Sequence, residues 1–223
     1  IKRDTIMPRN NATFEINRLS LSDQVYHYIK HLILSGEIRG GERIPEEKVA
    51  QQFGVSRTPV REALNRLEEY GLINIKPRSY AEVIVLEPHE AEQISVIRSQ
   101  LEILAVTLLA DCGKENDFEE LALLAKECNA LIAAGDIAAT FEKDSQWHLE
   151  IAQRTGNRHL YEICEKLDAK IQLLRLVLRL PLDKLKVYVK HHDDIVAALR
   201  RHDKESASKL MRHHIMNQLN DQE

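Results

Sequence analysis

The run Gly54-Val55-Ser56-Arg57-Thr58-Pro59-Val60-Arg61-Glu62-Ala63-Leu64 constrains this chain more than any other segment. Gly54 reaches the left-handed backbone conformation cheaply, so it can close a short helix over positions 46–53. Ser56 suits an N-cap, and Pro59 falls in the first turn of the next helix, where its missing N–H costs little. Val60, Leu64 and Leu67 recur at helical spacing as an inward stripe, which leaves Arg57, Thr58, Arg61 and Arg66 on other faces. Two short helices, a tight turn and arginines at the start of the second helix spell a helix-turn-helix whose second member can enter a major groove. An ordinary pair of surface helices with a few arginines is the plainer alternative. Turn, caps and charges agree on the former.

The flanks extend the motif. Gly71 stops the recognition helix, and Leu72–Ile75 and Ala81–Val85 read as two short strands joined by the basic loop Lys76-Pro77-Arg78-Ser79-Tyr80. This is a wing, with Lys76 and Arg78 placed to touch phosphate. Upstream, Val25, Tyr28, Ile29, Leu32 and Ile33 give a helical stripe that we expect to be capped by Ser22 and ended at Gly36, after which Gly40-Gly41 turns the chain into the next helix.

Ile44-Pro45-Glu46-Glu47-Lys48-Val49-Ala50, the Phe53–Leu64 run, Arg66-Leu67 and Gly71-Leu72-Ile73 together resemble the winged-helix domain of the GntR family of bacterial transcription regulators, over about positions 19–86. One departure is that Arg78-Ser79-Tyr80 lacks the glycine often found near that family's wing tip. The resemblance implies a winged helix-turn-helix that reads one half of a palindromic operator in double-stranded DNA. In it Arg57 and Arg61 would meet base edges, Thr58 phosphates or bases, and Arg66, Lys76 and Arg78 the backbone.

Net charge at first argues otherwise, since it is −4 over 223 residues. Positions 1–86, however, carry 13 Lys and Arg against 11 Asp and Glu, while the rest carries 18 against 24. Local arginine placement, not bulk charge, must therefore supply the attraction to DNA. Ile1–Arg18 is polar, aperiodic and interrupted by Pro8, so positions 1–18 are read as a flexible arm. Cys112, Cys128 and Cys164 have no paired spacing and read as reduced core residues of a cytoplasmic protein. No uninterrupted apolar run is long enough for a membrane span, and no membrane partner is expected.

Glu87-Pro88 opens a second part, positions 87–223, with helical periodicity at roughly 88–111, 116–134, 137–154, 157–180, 182–201 and 203–220. The expected fold class is therefore mostly α: a winged helix-turn-helix followed by an all-α, antiparallel six-helix bundle. Apolar surplus on the first and fourth bundle helices suggests a homodimer interface. Phe141, Asp144, His148 and Ile151 fall on one helical face, as do Tyr188, His192, Ile195 and Leu199. Leu210, His214 and Gln218 do the same beside Met211 and Ile215. Three helices thus push a histidine inward and one adds an aspartate a turn earlier. Burying four such groups without partners is costly, and a divalent transition metal would satisfy them together: zinc first, nickel or manganese as alternatives. The residues leave other readings open. Asp144 and His148 can be a simple i,i+4 pair, and the doublets His191-His192 and His213-His214 do not say which member points in.

Arg98-Ser99-Gln100-Leu101-Glu102, Asp144-Ser145-Gln146-Trp147-His148, Gly156-Asn157, His192–Leu199 and Met211–Ile215 resemble the FCD ligand-binding domain of the FadR branch of the same family, over about positions 88–220. Six helices are similar to its VanR-like subgroup. The resemblance implies that Asp144, His148, His192 and His214 ligate the metal. It further implies that a small carboxylate effector completes the coordination, with Arg98 as its clamp, although Arg98 can also pair with Glu102 one turn away. The expected protein is a cytoplasmic, homodimeric, ligand-responsive regulator, a repressor and not an enzyme. The rivals are a sensor of the ion itself and a metal-dependent hydrolase.

Overall fold

The computed structural model describes residues 20–76, 80–178 and 181–220. The expected arm over 1–18 and the wing-tip residue Arg78 lie outside them. The chain runs α1 (Leu21–Leu34), β1 (Arg43–Ile44), α2 (Glu46–Phe53), α3 (Arg57–Glu69), β2 (Ile73–Lys76) and β3 (Tyr80–Val83). It continues through α4 (Pro88–Cys112), α5 (Glu115–Ala134), α6 (Ile137–Arg154), α7 (Arg158–Leu178), α8 (Leu182–Arg200) and α9 (Lys204–Asn220).

Local chemistry accounts for most boundaries. Gly54 sits at φ 62°, and its N–H closes α2 on the carbonyls of Ala50 and Gln51. Ser56 is the N-cap residue of α3 but makes no side-chain cap bond; the extended backbone there, not its hydroxyl, starts the helix. The cap of α1 is Ser20 instead of the expected Ser22: the Asp23 N–H donates to Ser20 Oγ at 3.1 Å. Tyr26, not Tyr28, joins Val25, Ile29, Leu32 and Ile33 in the buried face of α1. Both tyrosines flank the aliphatic stripe, and Tyr28 instead hydrogen-bonds Gln52 at the surface. In the second part, Glu90 accepts from the Glu87 N–H (2.8 Å), Asp117 from Lys114, Asp136 from Ala139, Asn157 from Leu160 and Asp203 from Ser206, so a carboxylate or amide starts five of the bundle helices.

The three strands form an antiparallel sheet in the order β1-β3-β2, with Ile73 facing Val83 and Arg43 facing Glu82. Strand β1 is an addition to the sequence reading: two residues carry no alternation to detect. Leu210 is only half-buried and Met211 takes the inward position on α9. Cys112 corrects the expectation of three core thiols, because it is exposed while Cys128 and Cys164 are buried, their thiols pushed up to about 12 by burial.

One core cluster spans the winged helix and continues into the bundle: Ala91 of α4 and Ala169, Leu173 and Leu174 of α7 pack with Val25, Leu64, Leu72 and their neighbours. A second cluster fills the bundle around Trp147, Leu109, Ile195 and Met211. By length and composition alone, His89–Cys112 is apolar enough to cross a membrane, with a mean hydropathy of 1.3 over an 18-residue stretch. Here it packs chiefly on α9, α7 and α6 and buries Arg98, Ser99 and Glu102 among them.

Candidate metal centre and DNA-binding face

Helices α2 and α3 and strands β1 to β3 frame an open cleft of about 810 Å³ lined by Lys48, Arg57, Arg61, Asn65, Lys76 and Tyr80 among others. Amphipathic α3 buries Val60, Ala63, Leu64 and Leu67, which forces Arg57 and Arg61 outward at its N-terminal end. Neither arginine is idle. Arg57 pairs with Glu47, and Arg61 lies 3.9 Å from Glu46, both acids being in the first turn of α2. Lys76 pairs with Glu82 at 3.0 Å. Exposed pairs of this kind contribute little and exchange readily for a phosphate. Arg66 stands apart: it bonds Asp23 at 2.7 Å and stacks on Tyr26, its guanidinium 4.0 Å from the ring centroid, so it braces α3 against α1. Lys48, Asn65, Tyr80 and Arg43, which stacks on Tyr80, escaped the sequence reading because they lie on elements whose faces only the fold brings together.

The second cluster is buried. Asp144 and His148 of α6, His192 of α8 and His214 of α9 each offer one ligand atom, and these atoms all lie within 4.8 Å of one another. His148 Nε2 is 3.1 Å from His214 Nε2 and 3.7 Å from Asp144 Oδ2, and His192 Nε2 is 3.2 Å from Asp144 Oδ1. Two ligands held ~2.1 Å from a tetrahedral ion stand roughly 3.4 Å apart, so the observed spacings bracket that value. Nδ1 of His192, 0% exposed, and Nδ1 of His214 lack a hydrogen-bond partner among the described residues, and His192 Nε2 has the Asp144 carboxylate beside it. Buried imidazole nitrogens converging beside a carboxylate are a donor set for a divalent transition metal.

Surrounding groups hold these rings in place. Glu102 contacts His148 through Nδ1, which leaves Nε2 for the centre, and Glu102 in turn accepts from Arg98 Nε at 2.6 Å. Trp147 stacks on His192 with ring centroids 3.9 Å apart, and its indole N–H donates to the Leu121 carbonyl. Arg175 of α7 donates to Asp144, to the Phe141 carbonyl (3.2 Å) and to Ser145 Oγ (3.3 Å).

Electrostatics favour the ligating forms. Burial, with His192 and His148 nearby, holds His214 well below the ordinary imidazole value, and burial likewise lowers His192, so both stay neutral. Burial works to raise the Asp144 carboxyl, but Arg175, with His148 and His192, pulls it well below the usual range. Burial opposes Glu102 in the same way, yet Arg98 and His148 bring it to about 2.

The four sequence-named ligand residues therefore meet, and the doublets resolve with His192 and His214 inward. Arg98 is spoken for at Nε by Glu102. Arg175 and Glu102 were missed as parts of the site. Arg175 sits in the apolar run Leu173-Leu174-Arg175-Leu176, where an isolated arginine reads as a snorkelling surface residue.

Comparison with known proteins gives two family matches: "Bacterial regulatory proteins, gntR family" over residues 21–83 and "FCD domain" over residues 93–217. The chain is 30% identical over 188 residues to the HTH-type transcriptional regulator YdhC of Bacillus subtilis, covering 82% of this chain and 83% of that one. It is 25% identical over 211 residues to the HTH-type transcriptional repressor RspR of Escherichia coli, covering 95% and 90%. The solved structure of Escherichia coli McbR/YncC superposes with a TM-score of 0.79 at 27% identity, over 90% of this chain and 95% of that one.

Proposed function

This chain belongs to the GntR family of bacterial regulatory proteins and carries an FCD domain, and from that premise we propose how it is controlled. It is a sequence-specific DNA-binding transcription regulator. In our reading it is a cytoplasmic repressor whose second part holds a divalent metal, zinc first, in Asp144, His148, His192 and His214. A small organic acid completes the coordination and alters operator binding. The observation that carries the reading is the convergence of four buried ligand atoms within 4.8 Å.

When bound, the metal would supply a Lewis-acidic anchor for a carboxylate. The chain's own residues do the rest. Glu102 orients His148, Arg175 orients Asp144, and Trp147 keeps water from His192. Arg98 is assigned as the carboxylate clamp, since its bond to Glu102 uses Nε and leaves the paired terminal nitrogens.

On the DNA side, Arg57 and Arg61 read base edges, Thr58 meets phosphate or base, and Lys76 and Arg78 serve the backbone, whereas Arg66, expected there too, is held by Asp23 and Tyr26 as a brace between α3 and α1. Binding would exchange the Glu47 and Glu46 partners of the two reading arginines for DNA. Two copies reading a palindrome require a homodimer, and exposed Val96, Ile97 and Leu104 on α4 with Ile163 on α7 are apolar enough to supply its contact. The acid changes operator affinity only as far as it binds the two arrangements of the dimer differently.

The test is metal content by mass spectrometry on chelator-free protein beside His148→Ala. About one ion per wild-type chain, absent from the variant, is expected. Equal metal in both sinks the site. A sensor of the ion itself would instead lose and regain operator affinity with dialysis and metal, with no acid present.

A further inference from the structure

Where the winged helix meets the bundle, the two enclose a second cleft, of about 650 Å³. That is the size of a small-molecule site. Ile38, Val85 and Leu86 wall it from the winged helix, and Ile137, Phe141 and Leu185 from the bundle. Arg175 and Arg39 also line it, and among the described residues no Asp or Glu does. Asp144 is not on its surface, although Arg175 reaches it.

We propose that this cleft binds a small amphipathic carboxylate, apart from the metal centre, with its apolar body between the winged helix and the bundle and its head group on Arg175 and Arg39. Each part of that assignment follows from the lining. Apolar walls from two sides reward an apolar body by removing it from water. Arg39, without an ion-pair partner among the described residues, supplies the cleft's net charge and a planar fork that suits a carboxylate, while Arg175, neutralised by Asp144, adds an Nε–H donor. The Arg175 side chain is only 8% exposed and paired with Asp144, so what it offers an occupant is a fixed, largely desolvated donor. Its bonds to Asp144, Phe141 and Ser145 use Nη1 and Nη2 and not Nε. Arg39 is exposed and has no ion-pair partner among the described residues. An occupant touching both parts binds only while they hold this arrangement, so its affinity and the freedom of the winged helix are coupled. Because Arg175 also fixes Asp144, the cleft and the metal centre share one side chain.

The full-length protein decides the matter. Chelator-treated wild type, metal-loaded wild type and His148→Ala are each titrated with the straight-chain acids from butanoate to dodecanoate and with the matching alcohols, reading Kd by calorimetry and Tm. At least one acid is expected to bind all three forms alike and to raise Tm, with its alcohol about tenfold weaker. Val85→Trp and Ile137→Trp fill the cleft from opposite, solvent-exposed wall positions. Each should weaken the acid at least about tenfold while leaving metal content unchanged, and Arg39→Ala should weaken it several-fold. No binding by any acid overturns the proposal. So does binding untouched by both tryptophans, or binding confined to metal-loaded wild type, which would put the acid on the metal.

Discussion

The DNA face and the ligand cluster use the same side-chain chemistry, cations beside carboxylates, at opposite ends of the solvation scale. Arg57 and Glu47 are 60% and 77% exposed at their side chains, whereas Arg175 and Asp144 are 8% and 7% exposed. In water such a pair is interchangeable with solvent ions, which is what a surface that must accept phosphate needs. Out of water it is a fixed part of the architecture, because removing one partner strands the other. The comparison teaches that burial, not charge, divides the residues that recognise from those that hold shape.

The hardest test of that division is Asp144→Ala. It leaves the buried Arg175 guanidinium uncompensated, so a loss of about 3–5 kcal/mol is expected by chemical denaturation of the metal-free protein. A loss no larger than that of an exposed pair would erase the distinction. On the other face, Arg61→Ala should weaken a specific operator by about 1–3 kcal/mol in fluorescence anisotropy and leave Tm alone. If Tm fell as well, Arg61 would be structural.

Acid separates the two regions next. Burial lowers His192 and His214, so the unfolded chain takes up protons before the folded one, and stability must fall as pH drops from the ordinary histidine value of 6.5. The slope is at most about 1.4 kcal/mol per pH unit for each group. Chelated protein should show this in Tm between neutral pH and pH ~5, and His214→Gln should flatten it; a flat wild-type profile would contradict the burial argument. As pH falls further, from the ordinary glutamate value of 4.5 toward 2, another loss is expected, because the unfolded chain protonates Glu102 before the folded one, which holds it at about 2. The smallest effect is Glu47→Ala, which frees Arg57 and should move stability by no more than about 0.5 kcal/mol. Operator affinity should rise slightly or hold. A marked drop would mean that Glu47 positions Arg57 for DNA.

The same contrast explains what could be read in the sequence. The four candidate ligand residues interrupt apolar stripes of period 3.6, and a polar residue on such a stripe has nowhere to go but inward. The six bundle helices carry glycine, proline or a capping acid at their ends, so their limits fell within a few residues of 88–112, 115–134, 137–154, 158–178, 182–200 and 204–220. Arg175 and Glu102 escaped because what gives each its role is a partner on another helix: Asp144 on α6 for the first, His148 on α6 for the second. Ser20 over Ser22 and Tyr26 over Tyr28 are choices between near-equivalent neighbours, and packing alone decides them. Strand β1 exists only through its pairing with β3.

Helix α7 carries one more lesson, about modularity. Ala169, Leu173 and Leu174 lie in the same apolar cluster as the winged-helix core, and Lys166 and Glu165 of α7 bond Glu69 and Tyr70 at the end of α3. The reading head therefore cannot be cut off or transplanted as a cassette. A fragment ending at position 86 would expose the apolar surface that α7 covers, and a chimera on a foreign helical bundle would need equivalents of those three residues at the graft. In lineages that exchange reading heads between sensing domains, this seam is where exchange must be accompanied by compensating change.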